Sequence, residues 1–440
     1  MGEPTKRGSS SGNGRGKSPT VSLIAAATLI IACIVFVGIW YISGSSVRNG
    51  DLDDEQITSE EPTDPTESIT TTPPTTTPPP TPGQRTPPVK VRGMYVDAWT
   101  MASEEDLKGL IEICNTSDMN AIVIDVKDDY GYIPFLGDDE SLDAVRNEVI
   151  PDIRQLISRL KDHGIYTIAR LVCFRDPLGS GINPELAIRD IRGATWKDGR
   201  DVSWLNPYNK ASWEYLAAVA KEAVRVGFDE IQLDYVRFPA DGILRDIDFG
   251  AGAEGKTKAE VICEFLEYIR KSLDGSAWLA ADVFGIIAVA KGDHEGIGQD
   301  LDIMLQHVDY VCPMIYPSHF ANKTDNGTGQ YINGVLYEAP DLDPYGVVYN
   351  IMKTIHNRLP DDGNHAIVRP YLQAFTASYL GAGYYKTYTA VEVLEQVQAN
   401  HDAGFDEWLL WNHSGIYSIY ESVGKQMGSW DMTATPASIR

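Results

Sequence analysis

The distribution of apolar residues divides the chain beyond Val89 into short blocks of two kinds. Runs rich in β-branched and aromatic residues are typical of buried strands, whereas apolar residues at helical spacing are typical of amphipathic helices. Eight strands are predicted, at Val91–Trp99, Ala121–Lys127, Tyr166–Phe174, Glu230–Phe238, Trp278–Phe284, Tyr310–Tyr316, Ala366–Phe375 and Glu407–Asn412. Eight helices alternate with them, at about 104–116, 151–163, 212–226, 258–273, 298–307, 343–358, 390–402 and 415–424.

The connections between these blocks differ in length according to their direction. Helix-to-strand turns are short, and three of them contain a glycine that can end a helix in the left-handed conformation: Gly164, Gly227 and Gly404. Strand-to-helix loops are long, above all 175–211, 239–257 and 317–342. Eight such units predict an α/β fold, a (β/α)8 TIM barrel over residues 89–424 with a tail over 425–440. A doubly wound open sheet is the alternative, but no glycine-rich phosphate loop follows the first strand.

The amino terminus has the pattern of a membrane anchor. Residues 1–20 are basic and rich in Gly and Ser, and Val21–Ile42 follows without a charge, long enough to cross a bilayer as a helix. Because the next residues are acidic, the positive-inside rule predicts a cytoplasmic amino terminus and a barrel outside the cell membrane. A cleaved signal peptide is the alternative, but its apolar region would be shorter, at about 7–15 residues.

Residues 43–88 connect the predicted anchor to the barrel. They have few large apolar side chains and are dominated by Thr, Pro and acidic residues. Such a segment cannot bury enough surface to offset the entropy of ordering it, so we predict a disordered linker. Its prolines favour extended polyproline II, which would hold the barrel away from the membrane.

The composition limits the partners and crosslinks of the protein. The 440 residues carry 37 Lys+Arg and 62 Asp+Glu, a net charge of −25; residues 89–440 hold 31 and 53 of these, a net charge of −22. Nucleic-acid binding is disfavoured because affinity for phosphate depends on basic side chains. The cysteines of the barrel lie apart in apolar surroundings and predict buried free thiols rather than disulfides or a zinc site: Cys114, Cys173, Cys263 and Cys312.

In a TIM barrel, reactive side chains lie at the carboxyl ends of the strands. Carboxylates, arginines and aromatic residues converge there in this sequence. Hydrolysis of a glycosidic bond needs one carboxyl group to protonate the leaving oxygen and another to attack the sugar or activate water. Aromatic faces stack on sugar rings, while acids and amides bind hydroxyl groups. The residues that we expect to bind the sugar are Asp97, Trp99, Asp125, Lys127, Arg170, Arg237, Tyr316, His319, Gln373, Trp411 and Asn412.

Two carboxylates are the predicted catalytic pair. Asp234 lies in an otherwise apolar strand, where an ionised group is costly unless it is paired or functional, and Arg237 could keep it charged for nucleophilic attack. Asp282 on the next strand is the candidate general acid and base. The structural alternatives are an ion pair between Asp234 and Arg237 at the rim and a substrate-orienting role for Asp282. Asp125 has a claim similar to that of Asp282.

Neither a metal site nor a serine nucleophile is indicated. The first strand has no His-x-His pair, the chain has no His-Glu-x-x-His motif, and the barrel has no Gly-x-Ser-x-Gly elbow. We therefore expect no cofactor and no bound metal. A metal-assisted hydrolase that uses Asp125, Asp234 and His319 is the third and weakest hypothesis.

Four stretches resemble a bacterial putative glycosyl hydrolase domain: 91–96, 124–128, 229–239 and 313–319. The likeness spans roughly residues 90–420, and Asp-Tyr-Val-Arg-Phe-Pro at 234–239 is its most specific part. The resemblance implies a TIM-barrel glycosidase, distantly similar to the alpha-amylase superfamily. There the nucleophilic Asp ends strand four and the acid/base follows strand five, which by strand position implies Asp234 and Asp282. This chain departs from that pattern with Gln232 in place of an Arg and with Asp282 in place of a Glu.

Together these features predict a membrane-anchored glycoside hydrolase outside the cytoplasm. We expect it to cleave a cell-wall or extracellular polysaccharide, or its oligosaccharides, by a two-carboxylate mechanism that retains the anomeric configuration. A non-catalytic carbohydrate-binding or scaffold barrel at the cell surface is the second hypothesis. No feature of the sequence predicts the oligomeric state.

Overall fold

The computed structural model describes residues 85–412 and 417–433. The predicted basic tail over 1–20, the predicted anchor Val21–Ile42 and most of the predicted linker lie outside the described residues and stay predictions. Within the described ranges, none of the helices is both long and apolar enough to cross a membrane.

Eight parallel strands close into a barrel. They are β1 (Arg92–Val96), β2 (Ala121–Lys127), β3 (Tyr166–Val172), β4 (Glu230–Asp234), β5 (Trp278–Phe284), β6 (Tyr310–Ile315), β7 (Ile367–Val368 and Tyr371–Gln373) and β8 (Trp408–Trp411). Each strand pairs with the next one along the chain, and β8 returns to β1, where Trp408 lies beside Arg92. The predicted (β/α)8 barrel is confirmed.

Helices surround the barrel. They are α1 (Glu104–Thr116), α2 (Ile153–Asp162), α3 (Lys210–Val226), α4 (Lys258–Leu273), α5 (Leu301–Met304), α6 (Pro344–His356), α7 (Ala390–Asp402) and α8 (Ser418–Met427). Their apolar stripes pack on the outward side chains of the strands in one core. All eight predicted helices are found, but α5 keeps one turn of the predicted 298–307, and α8 continues past the predicted boundary at 424. Gly227 ends α3 with φ 114°, as its position predicted.

The long strand-to-helix loops carry structure of their own. Two-stranded pairs join Ile133–Phe135 to Arg146–Ile150, Arg189–Asp190 to Ile247–Asp248, and Gln330–Ile332 to Val335–Tyr337. Short helices form at Ala98–Ala102, Pro177–Ile182, Ile286–Val289 and Lys323–Asn326. The second pair ties the loop after β3 to the loop after β4, so these two loops share one rim of the barrel. The four cysteines of the barrel are free thiols, as predicted.

The first strand is shorter than predicted because its last residues form a helix cap. β1 ends at Val96, and the Asp97 carboxylate accepts hydrogen bonds from the N–H groups of Trp99 and Thr100 at 3.0 Å each. These bonds satisfy the free donors at the start of the helix Ala98–Ala102. Asp97 and Trp99 therefore follow β1 rather than belonging to it.

Two other strands also end or break for local reasons. β4 stops at Asp234 because Tyr235 takes the left-handed backbone conformation, with φ 48°. The predicted continuation to Phe238 is wrong, and Arg237 lies beyond the strand. β7 is interrupted before Pro370, which has no N–H to donate to the sheet.

Side chains fill the barrel interior in layers. At the amino end, Arg369 pairs with Glu230 at 2.8 Å and with Glu407 at 3.0 Å. Above this ion pair, the Tyr371 hydroxyl donates to Gln232 Oε1 at 2.6 Å, across the barrel from β7 to β4. The interior is thus packed at its lower and middle levels. Polar side chains at the carboxyl end form the upper layer, where a site can open to the loops.

Candidate active site

Arg170 is the centre of the upper layer. It projects from β3 with 2% of its surface exposed. Its Nη1 donates to Asp125 Oδ1 at 2.7 Å, and its Nε and Nη2 donate to Asp234 Oδ2 at 2.9 and 2.7 Å. Nη2 also donates to Asp129 Oδ2 at 3.2 Å. One buried cation therefore gathers three carboxylates at the carboxyl end of the barrel.

Asp234, the predicted nucleophile, is the last residue of β4. Besides the two bonds from Arg170, it accepts a hydrogen bond at Oδ1 from the Tyr235 backbone N–H, at 2.6 Å. Tyr235 itself has the left-handed backbone conformation, which is uncommon for a residue with a side chain and clusters at functional sites. The turn after β4 thus fixes the orientation of the Asp234 carboxylate.

Arg237 does not take the part that the sequence predicted for it. Among the described residues it forms no ion pair, and its Nη1 donates to the carbonyl oxygen of Phe238 at 2.9 Å. The guanidinium on Asp234 comes from Arg170, which is the register neighbour of Gln232 on the adjacent strand. The alpha-amylase pattern has an arginine two residues before the nucleophile, where this chain has Gln232. Here Arg170 on the adjacent strand β3 provides the guanidinium instead.

Asp282, the predicted acid/base, lies beside Asp234. Leu233 of β4 pairs with Ala281 of β5, so Asp234 and Asp282 are the next residues of the two paired strands. Asp282 is 2% exposed, and its Oδ1 is enclosed without a hydrogen-bond partner in the described part of the chain. Burial, and then the negative charge of Asp234, raise the pKa of Asp282 well above the ordinary value. A buried carboxyl group with a raised pKa therefore lies next to an ion-paired carboxylate.

Asp125 is engaged on both of its oxygens. Arg170 donates to Oδ1, and the Tyr95 hydroxyl donates to Oδ2 at 2.7 Å. Burial raises the pKa of Asp125 to about 6, although Arg170 acts in the opposite direction. Trp411 stacks on Tyr95 with ring centroids 4.2 Å apart, and the Arg170 guanidinium lies 5.2 Å from the Trp411 ring. Asp125 thus orients Arg170, while the two aromatic rings form one wall of the layer.

Asp129 belongs to the site, although the sequence did not single it out. It follows β2, its side chain is 40% exposed, and it contacts both Arg170 and, at 3.9 Å, Arg175. Burial alone would raise the pKa of Asp129, but these two arginines lower it below its ordinary value. The signal was the acidic run that follows Lys127, but the sequence does not show which member of such a run faces the barrel.

Four more of the predicted sugar-binding residues lie around the upper layer. Trp99 stands on the short helix after β1 with 67% of its surface exposed. The Tyr316 hydroxyl is enclosed without a hydrogen-bond partner among the described residues, and its ring lies 5.0 Å from that of His319. Asn412 is buried at the end of β8. A sugar could stack on the exposed indole ring at the rim and form a hydrogen bond with the tyrosine hydroxyl in the interior.

Two predicted sugar-binding residues are already bound by the protein itself. Lys127 is fully buried, where its Nζ donates to the Val172 carbonyl at 2.7 Å and pairs with Asp176 at 3.0 Å. Asp97 caps a helix and accepts a further hydrogen bond from the Tyr417 hydroxyl at 2.6 Å. Both residues hold loops in place, so their contacts leave them little capacity to bind a sugar.

Gln373 is a third such residue. Its Oε1 accepts hydrogen bonds from the Ser318 N–H at 3.1 Å and from the Ser318 hydroxyl at 2.8 Å. Its Nε2 donates to Asp341 Oδ1 at 2.9 Å and to the Phe375 carbonyl at 3.1 Å. All the donors and acceptors of the amide are used. Gln373 therefore ties the loop after β6 to the end of β7.

The described residues do not offer the metal site of the third hypothesis. No group of three or more His, Cys, Asp or Glu residues in ranges 85–412 and 417–433 is placed to hold a metal ion. Asp125 and Asp234, which that hypothesis requires, both bind the Arg170 cation instead.

Comparison with solved structures identifies proteins of similar fold. The PgaB (BpsB) glycoside hydrolase domain from Bordetella bronchiseptica is 14% identical, with a TM-score of 0.54 over 77% of this chain and 99% of that chain. A hypothetical protein from Ruminiclostridium thermocellum ATCC 27405 is 40% identical over 43% of this chain and 97% of its own, with a TM-score of 0.41. The α-galactosidase TtGalA from Thermus thermophilus, in complex with stachyose, is 14% identical over 80% and 66%, with a TM-score of 0.45.

The sequence comparisons give the family. No curated protein matches the chain. Residues 93–417 match the family described as "Putative glycosyl hydrolase domain", and this range contains the whole upper layer around Arg170. The chain therefore belongs to this glycosyl hydrolase family.

Proposed function

We propose that this protein is a membrane-anchored glycoside hydrolase that cleaves a cell-wall or extracellular polysaccharide by a retaining, two-carboxylate mechanism. The observation that carries the proposal is the unlike environment of two neighbouring acids. Asp234 is ion-paired with Arg170, whereas burial and the charge of Asp234 raise the pKa of Asp282. Such unlike environments assign the ion-paired carboxylate as nucleophile and the other group as acid.

The register of the strands favours retention of configuration. Neighbouring strands lie about 4.8 Å apart, and Asp234 and Asp282 directly follow the paired residues Leu233 and Ala281 of β4 and β5. Retaining glycosidases have carboxyl groups about 5–5.5 Å apart, whereas inverting enzymes need about 6.5–9.5 Å to admit a water molecule between nucleophile and sugar. Two acids on adjacent strands at the same level fit the shorter separation.

The reaction would proceed in two steps. In the first, an Asp234 oxygen attacks the anomeric carbon, the glycosidic bond breaks, and Asp282 gives its proton to the leaving oxygen. In the second, Asp282 takes a proton from water, the resulting hydroxide attacks the anomeric carbon, and the bond to Asp234 breaks. Arg170 keeps Asp125 and Asp129 as partners throughout, so it stays fixed when Asp234 loses its charge.

A polysaccharide panel tests this function. The purified full-length protein is incubated with neutral and acidic polysaccharides, reducing ends are measured, and the first product is analysed by proton NMR. We expect cleavage with retained anomeric configuration. Inverted product would contradict the assignment of Asp234 as nucleophile. Binding without cleavage across the panel would contradict the hydrolase proposal and favour the non-catalytic barrel.

The acid role of Asp282 predicts a specific pH dependence. Asp282 must be protonated in the first step, so kcat should stay high through neutral pH and fall as the pH rises through its raised pKa. Asp282→Asn should lower kcat by about 10²–10⁴-fold. It should also remove the fall of kcat at high pH, which is the alkaline limb of the kcat–pH profile. Aryl glycosides with good leaving groups should be affected least, because they need little proton donation.

Asp129→Asn is the matched comparison for Asp282→Asn. The pKa of Asp129 is lowered, so this carboxylate carries no proton to donate at neutral pH. The variant should keep the alkaline limb. If Asp129→Asn removed the limb and Asp282→Asn did not, the acid/base role would belong to Asp129.

Membrane attachment is proposed from the sequence. It is supported by the charge-free stretch Val21–Ile42, the basic residues before it and the acidic residues after it. We expect the full-length protein to stay in the membrane pellet after alkaline carbonate extraction, and externally added protease to reach the barrel in intact cells. Release into the carbonate supernatant would contradict the anchor.

A further inference from the structure

The turn after β4 encloses an arginine that forms no ion pair with any described residue. Arg237 is 8% exposed, and its guanidinium lies 4.5 Å from the Phe284 ring, 5.0 Å from the Trp204 ring and 5.1 Å from the Tyr235 ring. In the described part of the chain it has no ion pair, and its hydrogen bond goes to the Phe238 carbonyl. A buried charge without an opposite charge is costly, so this position indicates a ligand that supplies one.

Two further arginines, from the loop after β3, lie near the same tyrosine. The Arg175 guanidinium lies 5.4 Å from the Tyr235 ring. Arg200 is half-buried and forms no ion pair within residues 85–412. Burial lowers the pKa of both Arg200 and Arg237, and the like charge of Arg175 contributes to each shift. The three cations, which we name the arginine cluster, therefore lie near one another.

The acids around the arginine cluster neutralise it only in part, since Asp129, which lies 3.9 Å from Arg175, is held by Arg170. Asp198 contacts Arg175 at 3.4 Å but also accepts a hydrogen bond from the Trp204 indole at 3.0 Å. Asp241 attracts Arg200 and Arg237 without forming an ion pair with either of them in the described structure. The free donors of Arg200 and Arg237 are therefore available to a bound anion.

The arginine cluster adjoins the proposed nucleophile. Tyr235, around which the arginines gather, is the residue after Asp234 and donates its N–H to the Asp234 carboxylate. The Asp234 charge also acts on Arg237, against the effect of burial. An anion held by the cluster would accordingly belong to a sugar at or beside the one that Asp234 attacks.

We propose that the arginine cluster binds an anionic group on the sugar, a carboxylate or a sulfate or phosphate ester, so that the substrate is an acidic polysaccharide. The planar guanidinium of arginine matches such groups with paired hydrogen bonds. The barrel carries a net charge of −22, which repels acidic polymers in general, so a local cationic site would select the correct one. The substrate assignment rests on the proposed hydrolase function, but anion binding can be measured without it.

Turnover of matched polymers tests the specificity. The full-length protein is assayed on an acidic polysaccharide that it cleaves and on the same polymer after reduction of its carboxyl groups, or removal of its esters. Wild type should prefer the acidic form, and Arg237→Gln should reduce this preference by about 10- to 100-fold. Arg200→Gln, at a partly exposed position, is the second variant. Arg245→Gln is the control, because Arg245 lies in the loop after β4, as Arg237 does, but its side chain is 87% exposed.

Two outcomes of this assay would overturn the proposal. One is equal turnover of the acidic and neutral polymers by wild type. The other is an equal loss on both polymers in Arg237→Gln and Arg200→Gln, since a general loss would mean that the arginines support the fold or the nucleophile instead.

Binding of small probes separates the two proposals. Sodium glucuronate and inorganic sulfate are titrated into the protein, with glucose as the neutral probe, and thermal stability is followed. Wild type and Arg245→Gln should be stabilised by an anionic probe, whereas Arg237→Gln should not; the better of the two anions identifies the class. Anion binding without any polysaccharide cleavage would contradict only the hydrolase function. Cleavage with no anion response would contradict only the anion site.

Discussion

Asp234→Asn is expected to abolish hydrolysis, with a loss in kcat of at least about 10⁴-fold. Asn has the shape of Asp, and its single amide oxygen can still accept the two hydrogen bonds from Arg170, so the barrel should fold, although the hydrogen bond from the Tyr235 N–H is lost. Its amide, however, cannot attack the anomeric carbon, and no covalent intermediate can form. The measurement is kcat on the best polysaccharide of the panel, with circular dichroism to confirm the fold.

Two companion variants give this result its meaning. Asp118→Asn is the control, because Asp118 is 67% exposed and pairs with Arg92 at the amino end of the barrel; it should keep full activity. Asp234→Gly with added azide should form a glycosyl azide of inverted configuration, because azide enters the space left by the carboxylate. Residual activity of Asp234→Asn near the wild-type value would exclude Asp234 as the nucleophile.

Arg170→Met should cause the largest loss of stability among the variants considered for this site, about 3–5 kcal/mol at neutral pH. Arg170 is the only cation in hydrogen-bond contact with the buried carboxylates of Asp125 and Asp234 within the described residues. Removing it leaves two charges in the barrel interior without a counter-ion. Hydrolysis should be lost as well, because Asp234 loses two of its three hydrogen bonds.

The stability loss of Arg170→Met should depend on pH in a definite direction. Burial already raises the pKa of Asp125 to about 6 in the presence of Arg170, and removal of the cation would raise it further. A native pKa above that of the unfolded chain means that protons stabilise the folded state. The difference from wild type should therefore grow as the pH rises through the wild-type Asp125 pKa of about 6 and shrink on acidification below it.

Urea denaturation at about pH 5 and about pH 8, followed by tryptophan fluorescence, checks this dependence. Arg92→Met is the control, since Arg92 forms a surface ion pair with Asp118 and should change stability by less than about 1 kcal/mol at both pH values. A loss in Arg170→Met that is small, or the same at both pH values, would contradict the assigned electrostatic role of Arg170.

The catalytic pair shows how far sequence reasoning reaches in this protein. Asp234 and Asp282 are each an acid near the end of an apolar strand, and in the structure each directly follows the last paired residue of β4 and β5. Strand order in a TIM barrel follows chain order, so acids at the ends of consecutive strands are brought together by the fold itself. Their catalytic roles remain proposals that the variants above test.

The partner of Asp234 could not be derived in the same way. Arg237 is close in sequence, but a left-handed residue at Tyr235 ends the strand and turns the chain. Arg170 is far in sequence, but it lies beside Gln232 in the register of β3 and β4. Register between strands depends on the packing of the whole barrel, and the left-handed conformation of a tyrosine is not marked by any residue preference.

Some of the predicted sugar-binding side chains bind the protein itself in the structure. Lys127 and Gln373 stand at strand ends, as the predicted pattern requires, yet Lys127 pairs with Asp176 and Gln373 with Ser318 and Asp341. All three partners lie in strand-to-helix loops. Because the conformation of these loops is set by contacts between distant segments, the sequence shows that a polar residue is present but not which groups will satisfy it.

The alternation of strand-type and helix-type apolar patterns by itself determined the eight strands, the eight helices and the closed barrel. Each strand–helix unit must bury an apolar face, so its apolar residues recur at the same spacing in all eight units. It also determined the level of the barrel at which acids gather. Only the tertiary structure decided that Arg170 holds three of those acids, that Asp282 lies buried beside Asp234, and that Arg237 forms no ion pair with a described residue. The physical reason is that pKa values and ion pairs depend on distances and burial across strands and loops, which no local pattern encodes.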